Sequence, residues 1–334
     1  VPKVSVIIPA YNRAHFLGEA IQSVLDQTFP DFELIVVDDG STDNTKEVVE
    51  SFKDPRIRYI YQENRGQSAA QNTGIKASGS EYIAILGSDD MWLPQNLELK
   101  VKVLDARPDV ALVCSDTYFF DDRTGAILGR FWHDKRFTYP VNPGKATQQP
   151  LREMLSHGCF IAPQMAVVRR QVFTEVGYFD ESLRRGDDWD MFVRIVRRFP
   201  AIETIDMPLG RNRQHDGRLT ANQEGEYEWG VVIFNKALNN YSLSGSECKL
   251  IKRRLAGWHF QYGHEMMMEG GITEGRQRLL ASIKVNPWSI RPYIYLALSF
   301  LGTKPILTLR SWKKWVERCF GRGQPSDDAS SNTG

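Results

Sequence analysis

An apolar run that stops abruptly on two adjacent carboxylates limits the folds open to this chain more than any other feature. The run, YIAILGSDD at residues 82–90, is rich in β-branched and aromatic residues and predicts a strand buried on both faces of a parallel sheet. Asp89 and Asp90 then fall at its carboxyl end. In open α/β sheets that edge carries the ligand crevice, because loops leave the strand tips there while helices cover both faces. Neighbouring carboxylates repel unless they meet water, share a proton or hold a cation, and hard oxygen ligands suit magnesium or manganese.

The preceding residues set the same rhythm. Residues 4–11 predict a first buried strand, and Phe16, Leu17, Ala20, Ile21, Val24 and Leu25 follow at helical spacing. Residues 32–37 predict a second strand that runs into Asp38 and Asp39, then a turn cluster and a helix over 45–52. A third strand over 57–61, a polar loop with a short helix, the strand at Tyr82, a helix over 94–106 and a strand over 110–115 complete the pattern. Such alternation implies parallel strands joined by crossovers, so the first 115 or so residues read as half of a doubly wound sheet. Beyond it, 117–150 has no clear period and reads as a loop-rich insertion or a hairpin over the site. Strands over 165–169 and 202–209 flank a helix over 187–199 whose buried face carries Met191, Phe192, Ile195 and Val196. From about residue 223 the chain reads as helical over 226–239, 247–268, 273–285 and 292–301.

Charge narrows the partners. Lys plus Arg number 42 against 41 Asp plus Glu, so net charge supplies no pull toward nucleic acid. Four scattered cysteines show neither zinc nor redox spacing and fit a reducing compartment. No secretory signal or spanning apolar run is apparent, and the expected location is cytoplasmic. One stretch, 292–320, combines YIYLALSFLG with basic residues around Trp312 and Trp315, a pattern compatible with a helix lying on the inner membrane surface or packing on protein.

Acid pairs recur at 38–39, 89–90 and 187–188. Any one pair alone reads as capping or solvated loop; VSVIIPAYNR, QTFPDFELIVVDDGSTD, ENRGQSAAQNTG, SDDMWLP, VGYFDESLRRGDDWDMFVRI and RNRQHDGRLT in this order carry more. Together they resemble the inverting glycosyltransferases of family 2, over residues 4 to about 220. The resemblance implies an α/β fold of GT-A type: a doubly wound, mostly parallel sheet with helices on both faces and, here, a C-terminal helical extension. The implied division is a catalytic domain over 1–222, with a nucleotide half (1–116) and an acceptor half (117–222), a helical extension over 223–320 and a disordered tail over 321–334.

The same resemblance implies roles. Pro9, Tyr11 and Asp39 line the base pocket with Arg13 nearby, and Asn64, Arg65 and Gly66 complete the nucleotide wall together with Asp89. Asp89 and Asp90, with His215, hold Mn2+ or Mg2+ against the diphosphate. Asp188 is the general base, and Trp189 and Asp190 face the acceptor. Two departures stand out: Gly87 occupies the position of a frequent third acid, and Gln71 that of a frequent arginine, for which Arg65 or Arg13 would substitute. The implied activity is metal-dependent transfer from a nucleotide-diphosphate sugar, UDP-linked, to a hydroxyl of a cell-surface glycan or lipid-linked saccharide. Two alternatives stay open on the sequence: transfer to a polyprenyl phosphate, and a sugar-nucleotide-binding module without catalysis.

Overall fold

The computed structural model describes residues 1–133, 142–183, 185–215 and 226–301. The first strands and helices alternate as β1 (Val4–Ala10), α1 (Ala14–Leu25), β2 (Phe32–Asp39), α2 (Thr45–Ser51), β3 (Ile57–Gln62), α3 (Gln67–Ala77), β4 (Tyr82–Ile85), β5 (Met91–Trp92), α4 (Asn96–Ala106) and β6 (Leu112–Asp121). There follow β7 (Ile127–Arg130), α5 (Pro143–Gln148), α6 (Pro150–His157), β8 (Ala166–Arg169), α7 (Arg170–Val176), α8 (Asp187–Arg198) and β9 (Ile202–Gln214). The remaining described residues form α9 (Glu226–Asn240), α10 (Gly245–Met268), α11 (Ile272–Val285) and α12 (Ile290–Ser299).

The sheet order is β3-β2-β1-β4-β8-β6-β9-β5, with β7 paired to β6. β1, β2, β3 and β4 are mutually parallel, as the alternation predicts; the apolar residues of β1, β2 and β4 are almost wholly buried because helices lie on both faces, whereas those of the edge strand β3 are only half-buried or, at Tyr61, exposed. The expected run of neighbours ends at β4. β8, from much later in the chain, pairs antiparallel with both β4 and β6, so β6 does not adjoin β4. β6 also continues to Asp121 and turns back into β7, which realises the hairpin option for the start of 117–150. β9 reaches Gln214, five residues beyond its expected end, pairing parallel with β6 and antiparallel with β5. That extension brings Arg213 and His215 to the acids.

The short helix expected with the polar loop after β3 is α3, which takes in most of that stretch. It buries Ser68, Gln71 and Asn72 against the sheet, and two of the three find fixed partners: Ser68 donates to Asp187, and Asn72 exchanges two hydrogen bonds with the Phe179 backbone, each 2.9 Å. Gly74 lets α3 approach β1, since a Cβ there would overlap the Ile7 side chain.

The described residues fall into two compact units divided between Ile233 and Phe234, within α9. In the second unit α10 and α11 touch through Gly263 and Gly275, where a Cβ on either would lie 2.7 Å from the other's carbonyl oxygen. No helix among the described residues is long and apolar enough to cross a membrane. The proposed tail over 321–334, and the basic part of 292–320, lie outside the described residues.

Candidate active site

The loops leaving β1, β2, β3 and β4 meet at one sheet edge. Asn12, in the left-handed region at φ 50°, donates its N–H to Ser41 Oγ (3.0 Å) and accepts from the Thr42 N–H (2.8 Å), which ties the first loop to the second. Asp38 and Asp39 divide the work behind it. Asp38 accepts from the Ser41 N–H (2.8 Å) and the Tyr59 hydroxyl (2.6 Å) and so shapes the turn. Asp39 accepts from Gln62 Nε2 (2.6 Å) and from the backbone N–H groups of Arg65 (2.9 Å) and Gly66 (2.8 Å), gathering the 62–66 loop. A carboxylate offers about four acceptor sites, so one remains for a ligand. Pro9 is half-buried, while Tyr11, Asn64, Arg65 and Gly66 are exposed along the open side. Arg13 donates to the Asn12 carbonyl (3.1 Å), and Arg65 is ion-paired to Glu181 (2.6 Å), which shares out the cation expected to replace the missing arginine. Gln71 itself is buried with its Oε1 lacking a hydrogen-bond partner among the described residues.

Asp89 and Asp90 follow the end of β4, at the same edge of the parallel strands. A Cβ on Gly87 would stand 3.1 Å from both Asp89 Oδ1 and Asp90 Oδ2, so the acids occupy the space that a side chain at 87 would need. Asp90 is buried and accepts from the Arg213 N–H (3.0 Å) and Asn212 Nδ2 (3.1 Å). Burial, and then the charge of Asp89, push its carboxyl up to about 7. Asp89 Oδ2 lies 3.1 Å from His215 Nε2, and Phe16 backs the imidazole at 4.7 Å between ring centroids.

Sequence reasoning missed Arg213. Its side chain is only 5% exposed. It donates to the Asp89 carbonyl (2.9 Å), Asp122 (2.6 Å) and Glu19 (2.6 Å), with its guanidinium against the rings of Phe16 and Phe120. The available signal was its place two residues before His215, which in an extended strand puts both on one face.

Among the described residues, no three or more His, Cys, Asp or Glu side chains form a ready-made metal cage. The donor set still fits a hard divalent ion. Magnesium in particular is commonly held by one or two carboxylates, with substrate phosphates completing the shell, and here one carboxylate oxygen and an imidazole nitrogen already share a point.

The third acid pair opens α8. Gly186 caps the helix in the left-handed conformation (φ 71°), a geometry that costs other residues strain. Asp187 accepts from Ser68 Oγ (2.7 Å), which ties the start of α8 to the start of α3, whose cap Gly66 is held by Asp39. Asp188 is half-buried and accepts from the N–H of Trp189 (2.7 Å). Burial, and then the charge of Asp187, raise its carboxyl to about 7. Trp189 and Asp190 depart from expectation. Both are buried, and Asp190 is ion-paired with Arg194 (2.9 Å), which in turn holds the carbonyls of Val176 and Tyr178. In this structure the two residues pack and anchor the start of α8.

Comparison with known proteins gives the family of the chain. The model of the family described as Glycosyl transferase family 2 matches residues 5–177, just over half of the chain. The chain belongs to glycosyltransferase family 2. An uncharacterized glycosyltransferase of Rickettsia typhi is 35% identical over 232 residues, 68% of this chain and 70% of that protein. Glycosyltransferase GlyG of Streptococcus pneumoniae is 27% identical over 267 residues, 75% and 84% of the two chains. Other similar Rickettsia glycosyltransferases are much longer, and the chain spans about a third of their length. Among solved structures, S. aureus TarS 1-349 in complex with UDP-GlcNAc has a TM-score of 0.64 at 19% identity, covering 85% of this chain and 81% of that one. The mannosyltransferase PcManGT from Pyrobaculum calidifontis, in complex with GDP-Man and Mn2+, has a TM-score of 0.57 at 19% identity, covering 96% and 88%. These likenesses establish the GT-A-type fold of this family 2 glycosyltransferase.

Proposed function

We propose that this glycosyltransferase moves a sugar from a UDP-linked donor to a hydroxyl of a glycan or lipid-linked saccharide, with inversion and with the help of a divalent metal. The observation that carries this reading is the presence, at one sheet edge, of two acid centres in different surroundings. Asp89 and Asp90 face His215 and the Arg213 hub, whereas Asp188 stands at a helix start tied to the nucleotide loop through Ser68 and Gly66.

Asp188 is suited to the acceptor. A carboxyl raised to about 7 ionises near neutral pH and retains enough basicity to take a hydroxyl proton as the new bond forms. Asp39 and the 62–66 loop orient the nucleotide. Asp89, Asp90 and His215 hold Mn2+ or Mg2+, which when bound offsets the negative charge developing on the diphosphate leaving group. A base and a leaving group served by separate centres require no protein nucleophile, which favours a single displacement. The bound donors of the TarS and PcManGT structures support a nucleotide sugar as substrate class.

The test is a screen of nucleotide sugars for released nucleotide with and without manganese, followed by UDP titrations of two variants. Asp188→Asn should abolish transfer and keep UDP affinity, while Asp90→Ala should weaken only the manganese-dependent part of binding. Equal effects of the two substitutions would sink the division of roles.

A further inference from the structure

α12 is apolar on the side where a surface helix ought to be polar. Its inner face is well held: Tyr295 packs edge-on against Phe260 (5.1 Å) and His264 (5.2 Å), and Arg276 of α11 donates to Ser299 Oγ (2.9 Å) and its carbonyl (2.8 Å). The outer face nevertheless presents Ile290 (73% exposed), Tyr293, Ile294, Ala297 and Leu301, a stripe at i, i+3, i+4, i+7 and i+11. Trp288, in the turn just before the helix, is 91% exposed, and Arg291 is the helix's only charged residue.

Charge singles out the occupant. Between positions 276 and 301 the described chain carries Arg276, Arg278, Lys284 and Arg291 and no Asp or Glu, although the whole protein is nearly neutral at +1. Two copies meeting through this face would bring like charges together, which disfavours self-association. An anionic bilayer satisfies both properties at once: apolar side chains enter the headgroup boundary, an exposed tryptophan suits that boundary, and basic residues meet negative lipid. We propose that the outer face of α12, with Trp288, docks on an anionic membrane surface and lies in its plane. Docking there would keep the enzyme beside acceptors carried on lipid, but the binding itself does not depend on the transfer reaction.

The experiment is co-sedimentation of the full chain with vesicles of phosphatidylcholine alone or with about one-third phosphatidylglycerol. The protein is expected to pellet with the anionic vesicles only and to be released by high salt. Ile294→Asp should lower the bound fraction about tenfold, and Trp288→Ser, at a solvent-exposed turn where folding is not at stake, should lower it several-fold. Circular dichroism and donor hydrolysis should stay at wild-type levels in both variants. Protein that remains in the supernatant with anionic vesicles, or variants that pellet like wild type, would overturn the proposal. So would a lipid-free dimer that Ile294→Asp dissociates, since that assigns the face to a second copy. Because binding is read without donor, a negative result leaves the transfer assignment standing.

Discussion

Asp188 ties a rate and a stability to one ionisation. If it is the base, activity rises with pH through about 7 and then levels, and Asp188→Asn lowers the rate by about a thousandfold or more at pH 8. Stability should move the other way. The folded chain holds this carboxyl above its ordinary value of 3.8, so its stabilising neutral form is complete below that value and lost as pH rises through about 7. Asp188→Asn keeps the neutral shape, and should therefore melt a few degrees higher than wild type at pH 8, with the gap closing near pH 4. Thermal melts at the two pH values check this. Arg213 makes a second case. Arg213→Lys cannot reach Asp122, Glu19 and the Asp89 carbonyl with one planar fork, and should destabilise the fold by about 2–3 kcal/mol. Calorimetric titration should also show manganese-dependent UDP binding weakened about tenfold, whereas a purely structural arginine would leave that term unchanged.

At the scale of elements, the strands were legible and the polar interiors of helices were not. β1, β2 and β4 are almost uninterrupted apolar runs, and the buried face of α8 follows its periodicity because nothing polar intrudes. The extent of α3 was hidden because Ser68, Gln71 and Asn72 look like surface loop residues until the backbone partners of Asn72 and the acid partner of Ser68 are seen. α4 conceals a sharper exception. Lys100 shares the buried face with Leu97, Val101 and Leu104, donates to Asn96 Oδ1 (2.9 Å), and is pushed by burial down to about 7. Its neutral form is favoured on folding, so the penalty is absent above pH 10.5, grows as pH falls, and is full below about 7. Lys100→Met should raise the melting temperature most at pH 6.5 and hardly at all above pH 10.5. In the opposite direction, Gly74→Ala forces α3 off β1 at Ile7 and should cost about 1–3 kcal/mol, read as a lower denaturation midpoint at unchanged slope.

For the whole molecule, ligand linkage gives the broadest check. UDP with manganese, each well above its dissociation constant, should raise the melting temperature by about 2–4 °C, and Asp90→Ala should remove the part that needs manganese. What the sequence by itself determined was the parallel half-sheet, the two acids at the end of β4 and the pair that opens α8. Apolar periodicity and strand-end position are local properties, written in neighbouring residues. Only tertiary structure decided that β8 would enter antiparallel between β4 and β6, that Asp39 would spend most of its acceptor sites on the 62–66 loop, and that Asp190 would turn inward to Arg194. It also decided that Arg213, 124 positions beyond Asp89 in the chain, would brace that acid's backbone. Such choices depend on which buried polar group finds which distant partner, and the cost of leaving one unpaired is paid in three dimensions, where residue spacing carries no information.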